Sequence, residues 1–135
     1  MRIDTSDLNI GAATFFTSSH GDCMDSQLSP LQVHEGDIIG MHEIKTEDLR
    51  LYRHKLVAVI LRSGHRLIKE LAGMYETTSF CSDVKPSKGV ILKCYNPKPT
   101  QMYFPMEDIQ RAFAVDCAYP KTSIKFINNQ VWKRS

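Results

Sequence analysis

Residues 55–71 read Lys-Leu-Val-Ala-Val-Ile-Leu-Arg-Ser-Gly-His-Arg-Leu-Ile-Lys-Glu-Leu, and this stretch decides the fold. Its first seven residues are rich in β-branched side chains, which favour an extended strand. Ser63-Gly64 then reverses the chain, so the stretch predicts a β-hairpin. In the second strand of the hairpin, alternation places Lys69 on the same face as Leu67 and Leu71, and Ile68 on the other face.

The rest of the chain predicts short strands joined by loops. Apolar and β-branched stretches indicate the strands, and clusters of Gly, Pro and polar residues separate them. The predicted strands cover residues 13–16, 37–41, 89–95 and 110–117, with a last strand or extended tail over 124–132. Short helical turns are predicted at 47–53 and 105–109, and irregular stretches at 25–35 and 73–88. The fold class is therefore predicted to be mostly β, with few helical turns.

Composition predicts one globular domain with reduced thiols. The chain has 135 residues, of which 42% are hydrophobic and 24% are charged, as in ordinary globular domains. A net charge of +2 is too small to indicate a nucleic-acid binder. The four cysteines form no Cys-x-x-Cys pair, which argues against a zinc ribbon or a disulfide framework. No signal peptide or membrane-spanning apolar run is present, so a cytoplasmic location without a membrane partner is expected.

Two residues stand out as candidate chemical groups. Cys23 lies in Gly21-Asp22-Cys23-Met24, where glycine permits a tight turn that exposes backbone N–H groups of the kind an oxyanion hole needs. Taken alone, Cys23 is either a nucleophile or a small buried hydrophobic residue. Lys69 is either a desolvated amine that can take a proton, or a surface lysine whose stem covers the leucines beside it.

The order of several motifs resembles the peptidase domain of LexA, UmuD and the lambdoid phage repressors. Those proteins are self-cleaving serine-lysine peptidases whose serine lies in Gly-x-Ser-Met. The motifs that carry the resemblance are Gly21-Asp22-Cys23-Met24, Gly36-Asp37-Ile38-Ile39, Ile68-Lys69-Glu70-Leu71, the run Leu92 to Pro97 and the apolar strand 112–117. The resemblance implies a LexA-like, signal-peptidase-like β-fold over residues 13–119, preceded by a flexible arm at 1–12 and followed by a strand or tail at 120–135.

The same resemblance implies roles for the two candidate residues. Cys23 takes the position of the nucleophilic serine and Lys69 that of the general base, and a backbone N–H of Asp22 or Cys23 would stabilise the oxyanion. A thiol is more acidic than a hydroxyl, so the pair can form a thiolate beside an ammonium. Sulfur is also larger than oxygen, and attack geometry tolerates shifts of only about 1 Å. No cofactor is implied.

Two functions follow from the resemblance. The first is the peptidase-fold domain of a transcriptional repressor or SOS-type regulator with a Cys-Lys form of the self-cleaving dyad. The second is a dimerisation or interaction module of the same fold that has lost peptidase activity. A homodimer and a protein substrate, which can be the chain itself, are implied as partners. DNA is expected to bind only through a separate domain, since no helix-turn-helix pattern is visible here.

Two other constellations have weaker patterns. His20, Cys23, His34 and His42 include metal-ligand types, but their spacing matches no standard zinc site. A locally basic stretch can contact phosphate or form a solvated face of the hairpin. Its members are Arg50, Arg53, Lys55, Arg62, His65 and Arg66.

Overall fold

A computed structural model describes residues 15–77 and 87–120, together with the backbone of 124–127 and 130–133. Nine strands lie in these ranges: β1 Phe15–Ser18, β2 Ile38–Ile44, β3 Leu56–Leu61, β4 Arg66–Glu76, β5 Lys88–Cys94, β6 Thr100–Pro105, β7 Ile109–Tyr119, β8 Ile124–Ile127 and β9 Gln130–Lys133. Two 3₁₀ helices, Thr46–Tyr52 and Met106–Asp108, lie at the predicted helical turns. The prediction of a mostly β chain is confirmed.

The predicted hairpin lies inside a seven-stranded antiparallel sheet. The strand order is β1-β2-β7-β3-β4-β5-β6, and β8 and β9 pair with each other in a separate two-stranded sheet. Strands β3 and β4 pair in a register that sets Lys69 opposite Val57. Gly64 takes a φ of 93° in the connecting turn, a conformation that glycine adopts without strain. Lys69 is therefore held by an antiparallel ladder near the middle of the sheet.

Apolar side chains of β3 alternate between two clusters of buried residues. Leu56 and Ala58 belong to the first cluster, and Val57 and Val59 belong to the second. The first cluster consists of Met24, Val33, Ile39, Met41, Leu56, Ala58, Tyr95 and Phe113. The second consists of Leu49, Val57, Val59, Leu71, Val90, Leu92, Ile109 and Ala112. Both faces of β3 are covered, which explains why its sequence is apolar throughout.

The alternation predicted for the second strand of the hairpin is confirmed for its apolar residues. Leu67 and Leu71 pack in the second cluster, whereas Ile68 packs against the first. Strand β4 continues to Glu76, however, so the prediction of an irregular stretch from residue 73 was wrong for its first residues. The register with β5 shifts between Leu71 and Gly73, and this β-bulge breaks the alternation from which a strand is recognised.

Strand β6 was not predicted at all. It lies at the edge of the seven-stranded sheet, where among the described strands β5 alone pairs with it. Its sequence is bounded by Pro99 and Pro105, residues that argue against a central strand but are tolerated at an edge. Six residues of β5, from Gly89 to Cys94, pair with β6. The strand is therefore defined by its pairing with β5 and not by a pattern in its own sequence.

The ends of the chain are described only in part. Strand β1 extends to Ser18, two residues beyond the predicted end at 16, while residues 13 and 14 and the predicted arm at 1–12 lie outside the described residues. The predicted final strand over 124–132 is two antiparallel strands, β8 and β9. Within the described part of the chain, no helix has the length and apolar character needed to cross a bilayer.

Leu71 and Leu51 provide a matched test of the second cluster. Leu71 is fully buried, whereas Leu51 is 62% exposed. We expect Leu71→Ala to lower the free energy of unfolding by about 2–5 kcal/mol, because it leaves a cavity between packed strands. Leu51→Ala should change that free energy by less than about 0.5 kcal/mol. Urea denaturation of both variants checks the difference, and equal losses would contradict the assignment of Leu71 to the core.

Candidate functional site

The structure brings Cys23 and Lys69 into contact. The Lys69 Nζ donates a hydrogen bond to the Cys23 Sγ at 2.6 Å, across a separation of 46 residues in sequence. Both side chains are half-buried. Lys69 is fixed on β4 by its pairing with β3, and Cys23 lies in the loop between β1 and β2. The two residues that the sequence singled out therefore form a thiol-amine pair.

The loop around Cys23 is a tight turn. Gly21 has a φ of 80°, which favours glycine, and a Cβ added there would meet no atom within 4 Å. The Asp25 N–H closes the turn by donating to the Asp22 carbonyl oxygen at 2.9 Å. Among the residues described, no backbone acceptor is bonded to the N–H of Asp22 or Cys23. N–H groups without a backbone acceptor among the described residues are the kind that an oxyanion hole needs.

The segment after β5 holds this turn in place. The backbone N–H groups of Tyr95 and Asn96 both donate to the Cys23 carbonyl oxygen, at 2.8 and 3.1 Å. The Asn96 Nδ2 donates to the carbonyl oxygens of Asp22 at 2.8 Å and Asp25 at 2.6 Å. We call these four hydrogen bonds the Asn96 clamp. Sequence reasoning missed the role of Asn96, whose only signal was its place in the motif run Leu92 to Pro97.

A buried carboxylate connects the clamp to β4. The Tyr95 hydroxyl donates a hydrogen bond to the Glu70 carboxylate, and both residues are buried. Burial, with a contribution from Glu70, raises the pKa of Tyr95 to about 12. Because Glu70 follows Lys69 on β4 and Tyr95 bonds the backbone of Cys23, one residue pair ties together the two halves of the site.

A cavity of about 570 Å³ opens beside the pair. Cys23 and Lys69 line it together with residues of β1, β2, β3, β4 and β7. Much of its wall is apolar and comes from Met24, Val33, Met41, Ala58, Ile60 and Phe113. Cavities of this size and lining are typical of sites for small molecules or side chains. A ligand in the cavity would lie against the sulfur and the amine.

Two of the histidines considered as zinc ligands each contact a carboxylate. The Asp25 carboxylate contacts His34 Nδ1 at 2.9 Å and raises the pKa of His34. His42 Nδ1 lies 2.8 Å from Asp116 on β7. In the described ranges no three His, Cys, Asp or Glu side chains are placed to hold a metal ion. The arrangement does not support a site built from His20, Cys23, His34 and His42.

The basic stretch predicted around the hairpin is partly used within the fold. The Arg53 Nε donates to the Ala72 carbonyl oxygen at 3.3 Å, and the Arg62 Nε donates to the Glu107 carbonyl oxygen. The Arg53 side chain thus links the segment before β3 to β4, and the Arg62 side chain links the hairpin turn to the second 3₁₀ helix.

Comparisons with known proteins do not assign the chain to a family. No protein-family model, no curated protein and no solved structure matches it. The function is therefore inferred from the chemistry and geometry around Cys23 and Lys69.

The Asn96 clamp can be tested by its effect on the turn. Asn96→Ala removes two hydrogen bonds to turn carbonyls, and we expect the Asp25 amide to exchange with solvent about tenfold faster. Gln32→Ala is the matched control, because the exposed Gln32 amide donates to the Asp25 carboxylate at 2.7 Å and, among the described residues, to no turn carbonyl. Hydrogen-deuterium exchange resolved to this segment checks both variants. Equal exchange rates in the two variants would exclude a holding role for Asn96.

The Tyr95–Glu70 bond predicts a pH dependence of stability. Since the pKa of Tyr95 is raised from 10.0 to about 12, folding favours the protonated phenol, and this stabilisation is complete below pH 10 and lost as pH rises to about 12. We expect Tyr95→Phe to reduce the loss of stability over that window. Tyr103→Phe, which removes the hydroxyl of a 60% exposed tyrosine, should behave like the parent. Urea denaturation over an alkaline pH series checks this, and parallel curves for parent and Tyr95→Phe would refute it.

Proposed function

We propose that this chain is a LexA/UmuD-like peptidase-fold domain that cleaves amide bonds with a Cys23–Lys69 dyad. The contact between the Lys69 Nζ and the Cys23 Sγ at 2.6 Å carries the proposal. A lysine packed beside a nucleophilic side chain can accept and return its proton, so no histidine or aspartate is needed. The cavity beside the pair supplies room for a substrate.

The first chemical step forms an acyl-enzyme. The Cys23 thiol gives its proton to the Lys69 amine, and the thiolate attacks the amide carbonyl carbon, forming a C–S bond while the carbonyl electron pair moves to oxygen. The N–H groups of Asp22 and Cys23 stabilise that oxyanion. When the carbonyl re-forms, the C–N bond breaks and the Lys69 ammonium gives its proton to the departing amine.

The second step releases the acid. Lys69, now a neutral amine, takes a proton from a water molecule, and the resulting hydroxide attacks the thioester carbonyl. The C–S bond breaks, the thiolate leaves, and the Lys69 ammonium lies beside it again. The balance is one amide and one water converted to one carboxylic acid and one amine, with the dyad restored.

Three features support the LexA-like assignment over a thiol peptidase of another kind. The nucleophile precedes the lysine in sequence, the lysine lies on a β-strand, and the segment that contacts the nucleophile turn is the Leu92 to Pro97 motif run. The mostly β architecture is compatible with that fold. On this proposal the chain acts in a transcriptional repressor or SOS-type regulator, and it cleaves itself or a protein partner as a homodimer.

The first test asks whether the reactivity of the Cys23 thiol depends on Lys69. We expect Lys69→Met to slow alkylation of Cys23 by iodoacetamide at neutral pH about tenfold or more, with a smaller change at alkaline pH, because an adjacent ammonium favours the reactive thiolate. Lys98→Met, which removes the charge of an exposed lysine, is the matched control. Mass spectrometry of the Cys23 peptide gives the rates. If Lys69→Met leaves the rate of Cys23 alkylation at neutral pH unchanged, the two residues do not act as a dyad.

Amide cleavage itself is the second test. Incubation of the parent at alkaline pH, alone and with casein, should yield fragments that are absent for Cys23→Ala and for Lys69→Met. Hydroxylamine should intercept the thioester and reduce the yield of free acid termini, which mass spectrometry of the fragments detects. A parent that yields no fragment, while folded and dimeric by sedimentation, would instead establish the interaction module without peptidase activity.

A further inference from the structure

We propose that the cavity beside Cys23 selects a peptide that carries a bulky apolar side chain next to the scissile bond and an acidic side chain beside it. This inference rests on the proposed function, because it assigns a substrate class to the same dyad. Two observations carry it, namely the apolar wall of the cavity and the sign of the charges around it.

The apolar wall is formed by side chains that the fold already holds rigid. Met24, Val33 and Met41 are at most 7% exposed, and Phe113 is 5% exposed, so they belong to the core as well as to the cavity. Such a wall cannot pair a polar group of the ligand, and it gains free energy from each apolar atom that displaces water. A volume of about 570 Å³ exceeds what an alanine or glycine side chain would fill.

The charges that line the cavity are all positive. Arg66, Lys69 and Arg111 contribute to its lining, and no Asp or Glu is among the described residues that do. Glu43 binds Arg111 through two hydrogen bonds of 2.7 and 2.9 Å, which leaves that guanidinium stacked over Phe113 at 5.0 Å. Arg66 is exposed and has no salt-bridge partner within the described ranges.

Arg66, which has no salt-bridge partner among the described residues, therefore determines where an acidic group would bind. It lies on β4 three residues before Lys69, and its exposed side chain is among those that line the cavity. In the bound peptide, a carboxylate on the residue next to the apolar residue would contact the Arg66 guanidinium. Because this contact is exposed to solvent, the attraction is modest and sensitive to salt. The apolar wall supplies affinity, and Arg66 supplies a preference among apolar peptides.

Three iodoacetylated dipeptide amides test both parts without requiring amide hydrolysis. They carry Phe-Glu, Gly-Glu and Phe-Gln, and their rates of Cys23 alkylation in the full chain are read by mass spectrometry. We expect Phe-Glu to react about tenfold faster than Gly-Glu, since the cavity buries the ring. We expect it to react about threefold faster than Phe-Gln at low salt, with that ratio approaching one as salt is added.

Substitutions show which residues cause the preference for Phe and which cause the preference for Glu. Ala58→Phe fills the cavity and should bring the Phe-to-Gly ratio toward one, whereas Arg66→Gln should abolish only the Glu-to-Gln ratio. Arg50→Gln, an exposed arginine outside the cavity, is the matched control and should preserve both ratios. If Ala58→Phe does not fold, the parent ratios and the Arg66→Gln variant still decide the question.

The outcomes separate this proposal from the proposed function. Equal rates for Phe-Glu and Gly-Glu in the parent would overturn the apolar pocket, and a Glu preference unchanged by Arg66→Gln would overturn the acidic part. Both ratios present in a chain that hydrolyses no amide would support the binding site and refute the peptidase. Hydrolysis without either ratio would support the peptidase and refute the pocket.

Discussion

The candidate site depends on one carbonyl group, that of Cys23, which accepts hydrogen bonds from two consecutive backbone N–H groups. Because Tyr95 and Asn96 follow β5 directly, the position of the turn is set by the ladder that joins β4 to β5. Lys69 lies on β4 in the same sheet. Sulfur and amine are thus located by the same set of antiparallel strands, although a long loop separates Cys23 from β2. A side chain on a loop is in this way positioned by the strands of the sheet.

The Tyr95–Glu70 hydrogen bond adds a side-chain constraint to the backbone hydrogen bonds that hold the Cys23 turn. A buried carboxylate requires hydrogen-bond partners, and the Tyr95 hydroxyl supplies one from the segment that also holds the Cys23 turn. Glu70 and Lys69 are neighbours on β4, so a displacement of Tyr95 would disturb both halves of the dyad. The buried polar pair is therefore a constraint on geometry, whatever its net contribution to stability, which for such groups is often small.

Local patterns predicted the parts of the fold that depend on neighbouring residues. The β-branched run and the Ser63-Gly64 turn predicted the hairpin, and alternation placed its apolar residues on the correct faces. Spacing alone did not bring Cys23 and Lys69 together; the resemblance to a known motif order suggested that contact. The Asn96 clamp and strand β6 escaped prediction because each exists through pairing with a distant segment. An asparagine before a proline and an edge strand bounded by prolines have no distinctive pattern of their own.

On the proposed mechanism, a cysteine at the nucleophile position changes which proton transfer is the difficult one. A hydroxyl must lose its proton to a neutral amine before it attacks, so activation of the nucleophile is the difficult part. A thiol ionises more readily, but a thiolate is also the better leaving group in the tetrahedral intermediate, which returns to substrate unless the departing nitrogen is protonated. In the proposed mechanism Lys69 therefore acts chiefly as the acid that delivers a proton to the amine. Its contact with the sulfur at 2.6 Å keeps the Lys69 Nζ beside the atom to which the substrate carbon would be bonded in that intermediate.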